Sequence, residues 1–254
     1  MNIKEVLGSS MERILTGFVL LGIAILMVVM DSLFLTWAIL GIAYMLAFRE
    51  AMRLFGEKDD KFYIYAVLIW IAAAFYPHPT DLIFVILIVA VSIMTYNKKV
   101  KFRALAPFLY PAVPMVFLFT LYKDFGIYML VWLVAIVATT DIAAYFTGKC
   151  IGKRQFSETS PNKTWEGVIG GVVGGTVVGA AVGFATHSVL FAIFTSLLVS
   201  IASVWGDLFE SYLKREAGVK DSGSIFPGHG GFLDRLDGYL FGVVVMVVIM
   251  RGIA

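Results

Sequence analysis

The chain has 254 residues, of which 60% are hydrophobic and only 15% are charged. An ordinary soluble domain has about 45–50% apolar and about 25% charged residues, so this composition excludes a soluble globular protein. The single cysteine excludes a disulfide scaffold, and an aromatic content of 15% excludes a disordered chain. A net charge of +2 is too small to indicate binding to nucleic acid. The composition therefore indicates an integral membrane protein.

Apolar runs of about 17–20 residues, the length of an α-helix that crosses about 30 Å of hydrocarbon, recur along the chain. They do not alternate between apolar and polar residues, which excludes a transmembrane β-barrel. The sequence therefore predicts an all-α, polytopic integral membrane protein with about nine transmembrane helices. The predicted spans are 14–30, 32–48, 62–76, 82–96, 104–122, 125–145, 168–186, 189–205 and 236–253.

The basic residues fall on alternate sides of these runs. Every second connection, counted from the N-terminal tail, holds several of them, and these segments together contain almost all of the 20 Lys and Arg residues. Because cytoplasmic loops carry the excess of positive charge, this distribution predicts a cytoplasmic N-terminus. An odd number of spans then places the C-terminus outside. The first run lacks a small-residue cleavage site, so it is interpreted as an uncleaved span.

The character of the loops changes near residue 122. The charges in residues 1–122, an N-terminal bundle of five spans, indicate a solvated face that contacts anionic lipid, and the sequence predicts no functional residue there. Organised polar residues follow, so residues 123–254 are predicted to be the catalytic region. It has four spans and cytoplasmic loops at 148–167 and 206–235.

Carboxylates and lysines follow the eighth run. If the helix continues past this run, Asp207, Glu210, Ser211 and Lys214 recur at i, i+3, i+4 and i+7 and share one face. Such a face can also be a helix end whose charges simply reach towards water. Near the end of the sixth span, Asp141 is a functional candidate because an acid within or beside hydrocarbon is costly, although it could also have a structural hydrogen-bonding role.

The segment 222–231 contains glycine and proline and is predicted to be a loop whose backbone N–H groups can face a phosphate. Asp234 and Asp237 follow it at i, i+3 spacing. Both carboxylates are therefore expected to point the same way from the first turn of the ninth span, where they could also act as helix caps. Lys163 lies on a loop with a proline, where it could grip a phosphate.

These groups together indicate phosphoryl-group chemistry on a membrane substrate, because carboxylates suit Mg²⁺ and lysines suit polyphosphate. A zinc site is not expected, since there is one cysteine and the histidines lie in connections on both sides of the membrane. The sequence also contains no P-loop.

The segment 211–237 resembles the signature of the phosphatidate cytidylyltransferases, also called CDP-diacylglycerol synthases. Stretches 141–149 and 160–167 are also similar to this family, so the likeness covers residues 141–237. The fixed positions of the signature are matched by Ser211, Leu213, Lys214-Arg215, Lys220-Asp221, Gly223, Phe226, Pro227, His229-Gly230-Gly231, Phe232, Asp234-Arg235, Leu236 and Asp237.

The resemblance implies transfer of the cytidylyl group of CTP to phosphatidate at the cytoplasmic face of the bacterial plasma membrane. It implies Mg²⁺ as the cofactor, with a second cation as a further candidate. The catalytic residues it implies are Asp207, Asp234, Lys220 and His229. The metal is expected on Asp207 and Asp234, with Asp237 and Asp141 as further candidates. Phosphate or substrate is expected to contact Lys163, Lys214, Arg215, Lys220, Arg235 and Ser211.

Two other functions fit parts of the pattern. A CTP-dependent polyprenol or dolichol-type lipid kinase needs similar groups but transfers the γ-phosphoryl group, and the complete signature argues against it. An ion-coupled transporter that uses Asp141 and Asp207 would carry charges deep in several helices, whereas these charges lie at one face.

Glycines recur at every fourth position of the seventh run. Their spacing places them on one ridge of the helix, where the absence of Cβ atoms allows another helix to approach closely. The ridge predicts a tight contact, either with a span that positions Asp207 or with a second subunit in a homodimer. The five glycines are Gly167, Gly171, Gly175, Gly179 and Gly183.

The predicted orientation is testable by cysteine labelling in cells after Cys150 is replaced by serine. A cysteine at position 187 should react with an impermeant maleimide added outside the cell, because its connection carries no basic residue. A cysteine at position 158 should react only after permeabilisation. The reverse pattern would contradict the orientation.

Overall fold

The computed structural model describes residues 3–96, 102–225 and 230–252. In these ranges the chain is mainly helical, and an isolated antiparallel β-bridge joins Gln155 and Thr164. Short turns of tighter or wider helix lie at Pro79–Asp81, Phe102–Leu105, Phe108–Ala112 and Leu233–Arg235. The α-helices are α1 (Ile3–Met30), α2 (Leu33–Leu54), α3 (Lys61–Phe75), α4 (Leu82–Tyr96), α5 (Val113–Phe125), α6 (Ile127–Ile151), α7 (Trp165–Gly183), α8 (Val189–Glu216) and α9 (Asp237–Arg251).

Each predicted apolar run coincides with helical structure, which confirms the all-α class. The number of spans and the cytoplasmic N-terminus stay predictions. Two shorter apolar helices lie at Gly17–Met30 and Lys61–Phe75. Among the described residues, six stretches are long and apolar enough to cross a membrane: Leu33–Leu54, Pro79–Tyr96, Arg103–Phe125, Ile127–Ile151, Trp165–Gly183 and Val189–Glu216.

The fifth run differs from the uninterrupted span expected at 104–122. Its α-helix begins only at Val113, after a tight turn and a wide helical turn in which Tyr110 has extended dihedral angles (φ −143°, ψ 115°). Pro107 and Pro111 explain the interruption, because proline lacks the N–H that a helix requires and its ring clashes with the preceding turn.

Packing divides the chain into two compact units. The first unit contains Met1–Val113 and Ala217–Arg235, and the second contains Pro114–Glu216 and Leu236–Ala254. The segment between α8 and α9, here called the signature loop and described at residues 217–225 and 230–235, thus packs with the N-terminal helices, although it follows α8 in sequence. The division of function near residue 122 stays a prediction.

The first unit is held by aromatic contacts between α2 and α3. The indole Nε1 of Trp37 donates to the backbone oxygen of Trp70 at 3.2 Å, and Trp70 Nε1 donates to the backbone oxygen of Trp37 at 3.3 Å. Tyr44 stacks on Trp70 with ring centroids 5.0 Å apart. By contrast, α4 buries none of its residues and presents an apolar surface suited to lipid.

The glycine ridge of α7 makes a close helix contact in the second unit. All five glycines are buried. A Cβ added at Gly171 would lie 2.7 Å from the backbone oxygen of Thr140 on α6. One added at Gly175 would lie 2.5 Å from Ser200 Oγ on α8. The ridge therefore packs between α6 and α8.

This confirms the predicted tight contact in its within-chain form, because α8 is the helix that carries Asp207. The ridge is covered by its own chain and does not supply a surface for a second subunit. Buried hydrogen bonds reinforce the contact: Trp132 Nε1 donates to the backbone oxygen of Gly179 at 2.7 Å, and Thr140 Oγ1 lies 3.1 Å from Ser200 Oγ.

A leucine in the ridge should wedge these helices apart. Gly175→Leu is expected to destabilise the protein by about 3 kcal/mol or more, because the added atoms would overlap with α6 and α8. Val177→Leu is the matched control, since Val177 is 63% exposed on the opposite face of α7. Thermal unfolding in detergent measures both. A Gly175→Leu protein that melts with the wild type would contradict this packing.

Candidate active site

Helix α8 continues beyond the predicted span as far as Glu216, so its polar residues do share a face. Ser211 Oγ donates to Asp207 Oδ1 at 3.4 Å, and Lys214 Nζ lies 2.8 Å from Glu210 Oε2. Glu210 is completely buried. The face is therefore a hydrogen-bonded row of side chains and not simply a set of solvated charges.

The most direct contact of Asp207 comes from another element. Lys163 Nζ lies 2.5 Å from Asp207 Oδ2, and the two side chains are 25% and 30% exposed. The structure thus joins two residues that the sequence predicts separately, one as a metal ligand and one as a phosphate-binding cation.

Backbone pairing in the connection before α7 positions Lys163. The N–H of Phe156 donates to the backbone oxygen of Lys163 at 2.8 Å, and the N–H of Trp165 donates to that of Arg154 at 2.9 Å. The Phe156 ring packs edge-on against Trp165 (4.8 Å) and near Trp205 of α8 (6.0 Å). The loop is therefore fixed against the helix that carries Asp207.

The start of α7 adds two further supports to this loop. Thr164 Oγ1 caps the helix by accepting the N–H of Gly167 at 3.1 Å. Glu166 Oε2 accepts the N–H groups of Lys153 and Arg154 at 3.0 and 3.2 Å. Both side chains satisfy backbone donors that would otherwise have no partner within a helix or strand.

A cavity of about 530 Å³ lies in the second unit beside this ion pair. It brings together Asp141, Lys163 and Asp207, as the sequence predicts. Sequence reasoning missed four further polar side chains of the lining, which are Tyr145, Lys149, Asn162 and Thr164. The sequence spacing could have identified Tyr145 and Lys149, because they follow Asp141 at intervals of four residues and so share a face of α6 with it.

The carboxylate of Asp237 at the start of α9 belongs to the same acidic region. Asp207, Glu210 and Asp141 are all close enough to act on it as like charges. Its Oδ1 accepts the N–H of Gly238 at 2.7 Å. Gly206 allows this proximity, because a Cβ there would collide with the backbone oxygen of Asp237.

These carboxylates offer the hard oxygen ligands that Mg²⁺ prefers. In the described parts of the chain, however, no three His, Cys, Asp or Glu side chains are grouped closely enough to surround a metal ion. Mg²⁺ usually takes one or two protein carboxylates and fills its other positions with water and substrate phosphates. The donor set therefore fits Mg²⁺ held together with a nucleotide and does not form a closed protein cage.

Asp234 lies in the first unit and has a different environment from the one expected. It belongs to the short turn Leu233–Arg235, whereas α9 begins at Asp237, so the two carboxylates do not share the first turn of a helix. Asp234 Oδ2 accepts the N–H of Ser222 at 3.0 Å, the Ser222 hydroxyl at 3.0 Å and the N–H of Gly231 at 2.7 Å. The turn breaks the helical spacing on which the expectation depended.

A second carboxylate, Glu50 of α2, also binds the signature loop. Its Oε1 accepts the N–H of Phe232 at 2.9 Å, and its Oε2 accepts the N–H of Leu233 at 2.8 Å and the hydroxyl of Ser222 at 2.7 Å. Sequence reasoning missed Glu50. It lies 172 residues before Ser222, in a part of the chain where the sequence predicts no functional residue.

These contacts correct the expected role of the loop backbone at Ser222 and Gly231, the two ends of the predicted loop. The N–H groups of Ser222, Gly231, Phe232 and Leu233 donate to Asp234 or Glu50. They are thus engaged by protein carboxylates, and a phosphate would have to displace these contacts to reach them.

The remaining predicted residues lie on both units. Lys220 and Arg235 are exposed in the first unit, and Arg215 is exposed at the end of α8 in the second. His229 lies outside the described residues. The structure leaves the roles of these four residues as predictions.

Helices that can cross a membrane and a cavity lined by carboxylates and lysines define a helical membrane protein with a polar site. A model of the cytidylyltransferase family matches residues 11–253. The chain is also 46% identical over 244 residues to a phosphatidate cytidylyltransferase of Helicobacter pylori strain 26695, covering 95% of this chain and 92% of that protein.

Two further relatives carry the same kind of name. The phosphatidate cytidylyltransferase of H. pylori strain J99 is 45% identical over 250 residues, which cover 97% of this chain and 94% of the relative. The chloroplastic phosphatidate cytidylyltransferase 4 of Arabidopsis thaliana is 43% identical over 122 residues, covering 43% and 31%. The chain belongs to the cytidylyltransferase family.

Proposed function

We propose that this protein transfers the cytidylyl group of CTP to phosphatidate, giving CDP-diacylglycerol and pyrophosphate for phospholipid biosynthesis. The observation that carries the proposal is the cavity of the second unit, where Lys163 and Asp207 pair beside Asp141 and Lys149. Near-full-length similarity to proteins named phosphatidate cytidylyltransferase supports the choice of substrates.

The reaction makes modest demands on acid–base groups. A phosphate oxygen of phosphatidate attacks the α-phosphorus of CTP, a P–O bond forms, and the bond to the β-phosphate breaks to release pyrophosphate. The lipid phosphate has a second pKa near about 6 and is largely dianionic at neutral pH, so it needs no strong base. The protein has to align the two anions and cancel their charge.

The cavity contains cations for that purpose. Lys163 and Lys149 lie on its wall, and the Lys163 ammonium is held in place by Asp207. We assign both lysines to the phosphates of CTP. Lys214, Arg215 and Ser211 of α8 stay proposed substrate contacts, as do Lys220 and Arg235 of the signature loop.

The carboxylates of Asp141, Asp207 and Asp237 would hold Mg²⁺ with the nucleotide. Asp234, in the turn Leu233–Arg235, stays a proposed ligand. A bound Mg²⁺ would neutralise charge on the phosphoryl oxygens. The like charges of Asp207 and Asp141 close to Asp237 favour such a cation. We place the site at the cytoplasmic face of the bacterial plasma membrane, which the distribution of basic residues and the bacterial relatives support.

Purified protein should be incubated with phosphatidate, Mg²⁺ and CTP carrying ³²P at either the α or the γ position. We expect label in the lipid fraction from α-labelled CTP and labelled pyrophosphate from γ-labelled CTP. Transfer of the γ label to lipid would instead indicate a lipid kinase. If neither α-labelled nor γ-labelled CTP transfers label to the lipid fraction, enzymatic transfer would be contradicted altogether.

Two variants show whether the activity belongs to this site. Asp207→Asn should lower the rate of α-label transfer at least about 100-fold, because it removes a charge that acts on the polyphosphate and its metal. Asp59→Asn makes the same change at an exposed position in the connection before α3 and should keep the wild-type rate. An Asp207→Asn protein with an activity within threefold of the wild type would remove this residue from the site.

A further inference from the structure

Glu50 is an unusual residue for its position. It lies near the end of the apolar helix α2 and is only 2% exposed, yet its carboxylate has no lysine or arginine among its hydrogen-bond partners in the described residues. Burial of a carboxylate is costly unless hydrogen bonds compensate it. The compensation comes from two backbone N–H groups and one hydroxyl, all of them in the signature loop.

The loop is shaped around this carboxylate. A Cβ at Gly223 would collide with Glu50 Oε1, and a Cβ at Gly231 would collide with Glu50 Oε2. Both positions therefore require glycine for the approach of the side chain. Glycines on both sides of one buried carboxylate indicate that the loop forms a specific binding position for the Glu50 side chain.

Ser222 connects Glu50 to Asp234. Its hydroxyl oxygen lies 2.7 Å from Glu50 Oε2 and 3.0 Å from Asp234 Oδ2, so one hydroxyl hydrogen is shared between two carboxylates. The same oxygen accepts the N–H of Asp234 at 3.3 Å. A change at Glu50 would therefore alter the position of both the Asp234 backbone and its side chain.

We propose that Glu50 is a positioning residue that fixes the backbone at Phe232 and Leu233 and, through Ser222, orients the Asp234 carboxylate. The effect on catalysis rests on the proposed function, in which Asp234 is a metal ligand. Residues that orient metal ligands through hydrogen bonds commonly change metal affinity or activity by about 10- to 100-fold when they are replaced. Glu50 would thus tune the enzyme from a helix that carries none of the signature.

Glu50→Gln tests the proposal with almost no change in side-chain volume. Glutamine replaces one acceptor oxygen with a donor NH₂ group, so in either orientation a donor faces the N–H of Phe232 or Leu233. Ser222→Ala is the second variant and removes only the bridge to Asp234. Two controls lie in the same unit: Glu57→Gln repeats the amide substitution away from the loop, and Trp70→Phe removes the indole donor to Trp37.

The first measurement is hydrogen–deuterium exchange of the full-length, metal-free protein in detergent, followed by mass spectrometry of peptides that cover residues 230–236. Glu50→Gln should increase the exchange rate there about tenfold or more, because the N–H of either Phe232 or Leu233 loses its acceptor and faces a donor instead. Both controls should keep the wild-type exchange in this segment. Wild-type exchange in Glu50→Gln would overturn the proposal.

The second measurement is the Mg²⁺ concentration that gives half-maximal α-label transfer. Glu50→Gln and Ser222→Ala should raise this Mg²⁺ concentration about tenfold or more. Trp70→Phe should lower the melting temperature but leave the half-maximal Mg²⁺ concentration unchanged. A lower melting temperature with an unchanged Mg²⁺ dependence in Glu50→Gln would overturn the positioning role. If the wild type transfers no label, the proposed function fails, and the exchange measurement still decides whether Glu50 fixes the loop.

Discussion

The contact on which the second unit depends is the close approach of α7 to α6 and α8. Five glycines remove every Cβ from one ridge of α7, so the helix meets backbone oxygens of α6 and hydroxyl groups of α8 directly. Each glycine weakens an isolated helix by about 1 kcal/mol relative to alanine. Packing and buried hydrogen bonds, such as that from Trp132 to Gly179, offset this loss. The ridge thus fixes the helices that carry Asp141 and Asp207.

A local accumulation of negative charge follows from this packing. Gly206 lets α9 approach α8, which adds Asp237 to the acids of α6 and α8. Like charges in a partly buried region repel one another and are stabilised by a cation. Lys163 supplies one positive charge to Asp207, and a metal–nucleotide complex would supply more. The arrangement therefore suits a reaction between two phosphate-bearing anions.

Local patterns in the sequence predicted much of this arrangement. Hydrophobic run lengths predicted the helices, four-residue spacing predicted the buried ridge, and helical periodicity predicted the polar face of α8. Proline chemistry explains why the fifth run is interrupted at Tyr110, although a hydrophobicity count alone does not detect it. The same four-residue spacing also predicts that the cavity residues Tyr145 and Lys149 share a helix face with Asp141.

The contact of Glu50 with the signature loop could not be predicted in this way. It joins residues 172 to 183 positions apart, and a single sequence carries no periodic signal for such a pair. The position of Asp234 was mispredicted for a related reason, since the short turn before α9 is stabilised by hydrogen bonds to Ser222 and Gly231 and not by helix continuity. Long-range hydrogen bonds to a loop override its local helical spacing.

We propose that the carboxylates of α6, α8 and α9 bind a divalent metal together with CTP. Electron paramagnetic resonance of the Mn²⁺–CTP complex, titrated with full-length protein in the absence of phosphatidate, tests this claim directly. We expect a saturable change in the Mn²⁺ spectrum for the wild type and an affinity at least about tenfold weaker for Asp207→Asn. Equal affinity of the two proteins for Mn²⁺–CTP, or no change in the spectrum with the wild type, would contradict it.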